Sequence, residues 1–251
     1  MWSDHTRARA GVAVSGFGVV LAHVEAELAA GRLVVGGQLP PERRLAGELG
    51  VSRSTVREAI RALQALGVVR SGVGSGPDAG TTVIADPAGG IGAALRLHLA
   101  TRRLPLADLV GTRVLLEGAS ARAAAARGDA AELAAAGELL DRMDAPGIGA
   151  EEFHRLDADF HVALTRAAGN AVNTAVMTAL RDAIHHTVLR AVAELPDWAG
   201  TARRLRAEHR AVLAAVLAGE EDAAAELVTA HVEGFHREWE RAGRGDRGVD
   251  H

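Results

Sequence analysis

Cysteine and lysine are both absent from this chain of 251 residues. Without cysteine there are no disulfides and no thiolate-held metals. All 28 basic residues are arginine, and alanine is abundant. That bias reads as GC-rich coding rather than as function. Long apolar runs are missing as well: no stretch approaches the about 18 residues of a membrane span. The N-terminus shows no basic region followed by an apolar segment and a cleavage site, so no signal peptide is expected there. These absences lead us to expect a cytoplasmic protein with no membrane partner. Positive charge is also scarce, with a net −4 at neutral pH, yet it is unevenly spread. Residues 1–85 hold 9 Arg against 7 acidic residues and residues 86–251 hold 19 against 25, so +2 and −6 sum to the −4. A small basic module beside a larger acidic one is the expected layout.

The basic module contains the most informative stretch, residues 51–63. As a helix starting near Ser52 it has two faces. Val56, Ala59, Ile60, Leu63 and Leu66 form an apolar arc at helical spacing. Arg53, Arg57 and Arg61 stack at i, i+4 beside it, with Ser54 and Thr55 in the first turn. One face packs; the other offers guanidinium forks and hydroxyls to phosphates and base edges. Upstream, residues 41–49 make a short amphipathic helix, and Gly50 supplies the turn. An earlier helix is expected near Val19–Ala30. Downstream, two short strands flank a glycine-rich loop holding Gly72, Gly74 and Gly76, which reads as a wing. A winged helix-turn-helix that binds double-stranded DNA follows.

Residues 37–46 and 50–59 together resemble the signature of GntR-family bacterial transcription regulators. The resemblance implies operator contacts from Arg43, Arg53, Thr55 and Arg57, with Ser54 beside them. It also implies a contact from a wing-tip glycine, taken as Gly74. One departure is Gly36, where the family usually has proline, and a looser turn is expected there.

Beyond Asp86-Pro87-Ala88-Gly89-Gly90, a proline- and glycine-bearing linker, the chain reads as helix. Expected spans are 91–102, 106–127, 130–143, 150–168, 171–194, 200–217 and 221–242, broken at glycine and proline. The expected fold is mostly α: a winged helix-turn-helix over residues 1–85, then an antiparallel bundle of about seven helices over residues 91–243. Residues 244–251 are expected to be a frayed tail.

Within the bundle, Asp157 and His161 stand at i, i+4 and project from one helical face. His209 lies 10 residues before Gly219 and His231 lies 12 after it. In a hairpin turning at Gly219 both sit roughly 15–18 Å from the turn, at one level. Three imidazoles and a carboxylate suit zinc, nickel, manganese or iron(II), and suit calcium poorly. A helix surface pair and unrelated histidines are the alternative at this point. Residues 91–242 are similar to the FCD ligand-binding domain of the FadR-type branch. The motifs are Asp108-Leu109-x-x-x-Arg113-x-x-Leu116-Glu117, Asp157-x-x-Phe160-His161-x-x-Leu164, Ala167-Ala168-Gly169-Asn170, Glu208-His209 and Ala230-His231. The resemblance implies that Asp157, His161, His209 and His231 hold a divalent metal, zinc first among the choices. It further implies a homodimer, a small carboxylate or sugar-acid effector, and repression relieved by ligand. Arg113 is the residue expected to clamp the carboxylate, or else to pair with Glu117. Asn170 is expected either to donate its amide to the effector or to cap a helix. No catalytic residue is expected. The alternatives are a regulator that senses the metal itself and a helical-bundle metalloenzyme.

Overall fold

A computed structural model describes residues 15–72, 80–101, 103–193 and 197–245. The chain divides into two units, residues 1–89 and residues 90–251.

In the first unit, α1 (Gly16–Ala29), α2 (Glu42–Leu49) and α3 (Arg53–Ala65) precede β1 (Val69–Gly72) and β2 (Gly80–Val83). The apolar arc of α3 explains why it seats where it does. Val56, Ala59, Ile60 and Leu63 pack with Val20 and Val24 of α1, Leu45 of α2, and Val69 and Val83 of the strands. Between α2 and α3, Gly50 stands at φ +64, the left-handed region that glycine enters without strain. Ser52 then caps α3, its Oγ accepting the Thr55 N–H at 3.1 Å.

The strands pair antiparallel with Val69 opposite Val83 and Gly72 opposite Gly80. A third segment, not anticipated from the sequence, lies along β2. Gly36 N–H donates to Val83 O at 2.9 Å and Leu39 N–H to Thr81 O at 2.7 Å. Gly36 sits at φ +84. Proline, with φ near −65° and no N–H, fits neither that angle nor that bond. The turn is therefore rebuilt around glycine and tied to the sheet rather than simply loosened.

The second unit holds α4 (Pro87–Ala100), α5 (Leu106–Arg127), α6 (Ala130–Met143), α7 (Ala150–Ala167), α8 (Ala171–Ala193), α9 (Trp198–Leu217) and α10 (Glu221–Gly245). The helix expected over 91–102 starts earlier, inside the stretch expected as linker. Asp86 Oδ1 accepts the Gly89 N–H at 3.2 Å, and Pro87 takes the first helical position, where a missing N–H costs nothing. At the other end α10 runs to Gly245, into the stretch expected as tail; residues 246–251 lie outside the described ones. Phe153, Phe160, Leu140, Met143, Leu205, Val212 and Val228 fill the core between α6, α7, α9 and α10. A smaller cluster of Leu109, Met177, Leu180 and Ile184 joins α5 to α8. Among the described residues, no helix is long and apolar enough to cross a membrane.

Candidate functional site

On the first unit, the residues expected to meet DNA share an exposed surface. Arg43, Arg53, Ser54 and Arg57 are exposed and Thr55 is half-buried. Among the described residues, neither Arg43 nor Arg53 has a carboxylate partner. Arg57 is braced: its Nη2 lies 3.3 Å from Glu42 Oε2 on α2. Ser52 Oγ lies 2.7 Å from Ser54 Oγ and 2.9 Å from Thr55 Oγ1, tying both hydroxyls to the cap. Gly74, the expected wing contact, lies outside the described residues.

In the second unit, the helical spacing of α7 brings His154, Asp157 and His161 to its inner side, while α9 and α10 supply His209 and His231. One ligand atom from each of Asp157, His161, His209 and His231 lies within 4.8 Å of every other. His231 Nε2 stands 3.1 Å from His209 Nε2 and 3.2 Å from His161 Nε2. His209 Nε2 is 3.0 Å from Asp157 Oδ1. At metal–ligand distances of ~2.0–2.1 Å, neighbouring ligand atoms lie roughly 2.9–3.4 Å apart. Those three separations fall in that range. The His161 Nε2 to Asp157 Oδ1 separation, 4.0 Å, is wider than a tetrahedral edge. The ring of Phe160 supports the set from below, 5.0 Å from His209 and 5.5 Å from His161 by centroids.

Two carboxylates fix the imidazoles from behind. Glu117 on α5 is 3% exposed; its Oε2 lies 2.6 Å from His161 Nδ1 and its Oε1 accepts from Arg113 Nε at 2.8 Å. Glu208 Oε2 lies 2.8 Å from His231 Nδ1. Each carboxylate favours the proton on Nδ1 and so turns the Nε2 lone pair inward, the usual arrangement behind a ligating histidine. Two inward lone pairs at 3.2 Å repel unless a proton or a metal ion stands between them. The donor set therefore fits a divalent ion.

The electrostatics are consistent with that. Burial pushes the Asp157 carboxyl up, but the hydrogen bond and charge of His209 outweigh it and hold it well below the usual carboxylate range. Burial also pushes Glu117 up, and Arg113 with His161 overcomes it, bringing the group down to about 2. Burial, with His209 alongside, lowers His231 to about 4. Both carboxylates are thus ionised and His231 neutral at pH 7, the states a metal requires. Burial pushes His161 down, but Glu117 and Asp157 outweigh it and raise the group, so an ion there must displace a proton.

A cavity of about 50 Å³ opens beside the cluster, lined by Asp157, His161 and His231 together with Arg113, Arg181 and His154. Arg113 lines the cavity and is paired with Glu117, the second of the two roles expected for it. Asn170 does not join it. Its Oδ1 accepts the Asn173 N–H at 3.0 Å, so it caps α8 from an exposed position. Three residues carry weight that the sequence reading did not assign them. Glu117 and Glu208 buttress the histidines, and His154, 3% exposed, lines the cavity. For His154 the signal was available, since His154, Asp157 and His161 at i, i+3, i+7 share a helical face.

Comparison with known proteins gives two family matches. The family described as "FCD domain" matches residues 108–234, and "Bacterial regulatory proteins, gntR family" matches residues 18–77. The Glc operon transcriptional activator of Escherichia coli is 30% identical over 205 residues, covering 79% of each chain. The HTH-type transcriptional regulator LutR of Bacillus subtilis is 29% identical, covering 80% of this chain and 91% of the relative. Among solved structures, a Streptococcus agalactiae GntR protein superposes with TM-score 0.59 at 24% identity, over 88% of this chain and 99% of the other, and shows the same fold.

Proposed function

The chain belongs to the GntR family of DNA-binding bacterial regulators, in the FadR-type branch with a C-terminal FCD domain, and on that premise we propose a metal-dependent sensor of a small organic acid. Members of this family are transcription factors, which sets the metalloenzyme alternative aside. The observation that carries the proposal is the convergence of three imidazole Nε2 atoms and one carboxylate oxygen at the wall of a closed-in cavity. Four protein ligands fill a tetrahedral ion but leave two positions on a six-coordinate one. The wide His161–Asp157 separation favours the latter. Zinc remains the first choice, with nickel, manganese and iron(II) compatible with the same donors. A carboxylate or hydroxy acid suits two adjacent open positions, and the Arg113 fork stands on the same wall.

The regulator acts as a homodimer on a palindromic operator, with its two α3 helices in successive major grooves about 34–36 Å apart. Acid binding at the metal biases the bundle between two arrangements. Operator affinity then changes by the acid's differential affinity for them. Repression relieved by ligand is the arrangement we propose. The test is a gel shift on DNA upstream of the chain's own gene, with metal-loaded protein, with and without acids. Release of DNA by an acid supports the reading. Release by chelation alone, with no response to any acid, favours a regulator whose signal is the metal.

Within the DNA-binding unit, Arg57→Ala is expected to cost ~1–3 kcal/mol of operator binding and to relax specificity at one position. Fluorescence anisotropy against operator variants measures both. An unchanged affinity and preference would remove Arg57 from base reading. Glu42→Ala is expected to lose less, because Arg57 keeps its charge and loses only its brace.

A further inference from the structure

Two of the clustered histidines are supported in the same way, by an arginine and a glutamate at i, i+4. On α5, Arg113 pairs with Glu117, which reaches His161 Nδ1. On α9, Arg204 Nη1 donates to Glu208 Oε1 at 2.6 Å, while Glu208 Oε2 lies 2.8 Å from His231 Nδ1. The two supports differ in their access to water. Glu117 is 3% exposed, whereas Glu208 is 31% and Arg204 37% exposed. A pair as open as the second gains little from charge attraction, so it needs bracing to keep its geometry. Arg204 Nη2 donates to Glu238 Oε2 on α10, and Glu238 Oε1 accepts from the buried Thr201 Oγ1 at 2.5 Å. Thr201, Arg204 and Glu208, at i, i+3, i+7, share one face of α9, as His231, Gly234 and Glu238 do on α10. Gly234 leaves the guanidinium its place between the helices. A Cβ there would stand 3.9 Å from Arg204 Nη1, so a longer side chain would crowd it. Thr201, Arg204 and Glu238 all stand outside the cavity lining.

We propose that Arg204 is a positioning residue for the metal site and acts through Glu208. Braced by Glu238 and Thr201, it holds that carboxylate on His231 Nδ1 and so keeps the Nε2 lone pair turned inward. This rests on the proposed reading of Asp157, His161, His209 and His231 as metal ligands. The guanidinium has two opposing effects on Glu208. Its charge makes the carboxylate a weaker acceptor for His231, and its hydrogen bond stops a half-exposed side chain from leaving the histidine for water. Solvent screening diminishes the first effect at this exposure. The second persists, because a free glutamate gives up rotamer freedom each time it returns to the histidine. Losing Arg204 therefore weakens metal binding.

The experiment measures zinc affinity of the full chain by competition with a chromophoric chelator, with thermal melting of the metal-free proteins alongside. Glu208→Ala is expected to weaken zinc binding roughly tenfold, and Arg204→Ala at least about threefold. Arg204→Ala placed on top of Glu208→Ala is expected to weaken binding no further, since no carboxylate is left to position. The same addition still lowers the melting temperature, because the bond to Glu238 is lost in either background. An arginine that served only the packing of the hairpin would weaken zinc binding equally in both backgrounds, and that result overturns the proposal. Unchanged or tighter binding in Arg204→Ala overturns it too, with the metal reading intact. Glu238→Gln tests the brace while leaving Arg204 and Glu208 in place. It is expected to weaken zinc binding in the wild-type background alone, and an unchanged affinity there overturns the role given to Glu238. A wild-type chain that takes up no stoichiometric zinc overturns the metal reading and this proposal together.

Discussion

If the four residues hold the proposed ion, chelation is expected to lower the melting temperature of the C-terminal unit by roughly 8–16 °C, and His209→Ala to make that transition indifferent to chelator. An ion held at 1,000 times its dissociation constant contributes ~4.1 kcal/mol to the folded state. For a chain of this size each kcal/mol shifts the midpoint by about 2–4 °C. The expectation rests on where the ligands come from. Asp157 and His161 belong to α7, His209 to α9 and His231 to α10, so one ion cross-links three helices whose ligand positions do not exist in the unfolded chain. His209 is the informative residue to remove. It is 0% exposed, and its Nε2 approaches both Asp157 and His231. Its own deletion destabilises as well, so the decisive comparison is within each protein, with and without chelator and with metal restored. A wild-type midpoint that ignores chelator and metal would mean that the four residues hold no ion. Calorimetric melting with metal analysis of the same samples reads both quantities.

The elements that place this site were mostly legible because local rules set them. Gly169 and Gly219, at φ +76 and +74, end α7 and α9 where the glycines suggested. The i, i+4 spacing put Asp157 and His161 on one face, and the residue count on either side of Gly219 put His209 and His231 at one level. What local rules do not set was less visible. The segment at 36–39 joins β2 through backbone bonds, and a backbone partner leaves no pattern in side chains. Pro87 looked like a breaker, though proline at a helix start is as acceptable as proline after an end. Glu208 is adjacent to His209 in sequence, yet it serves His231. Neighbours on a helix point about 100° apart, so Glu208 faces across the hairpin while His209 faces inward. Glu117 reaches His161 from α5, a tertiary contact with no sequence spacing to announce it. The role its spacing suggests, the i, i+4 pair with Arg113, is real and occupies only one of its two oxygens.

That double duty makes Glu117 the residue whose loss should cost most outside the ligands themselves. Glu117→Ala leaves the Arg113 guanidinium and the His161 Nδ1 without their shared carboxylate in a place where neither reaches water freely. Removing one partner of a buried pair costs ~3–5 kcal/mol, which here is a fall of roughly 6–20 °C in the melting temperature. Metal affinity falls ~10–100-fold besides, as for other residues that orient a ligating histidine from behind. Glu117→Gln separates the two effects. The amide keeps the shape and an oxygen for Arg113 while losing the charge that fixes the His161 tautomer. It is expected to retain more stability than the alanine variant and still to bind metal at least tenfold more weakly. Acid reports on the same contact. Glu117 is held down to about 2 from an ordinary value of 4.5 by Arg113 and His161 against the opposing effect of burial. A depressed carboxylate stabilises the fold above its unfolded value, so its contribution is complete above about pH 5 and is lost as the pH falls from about 4.5 towards 2. Glu117→Gln should flatten that part of the stability profile in the metal-free chain. If the glutamine variant binds metal as tightly as the wild type, Glu117 serves only to neutralise Arg113, and the His161 tautomer is set by the ion alone.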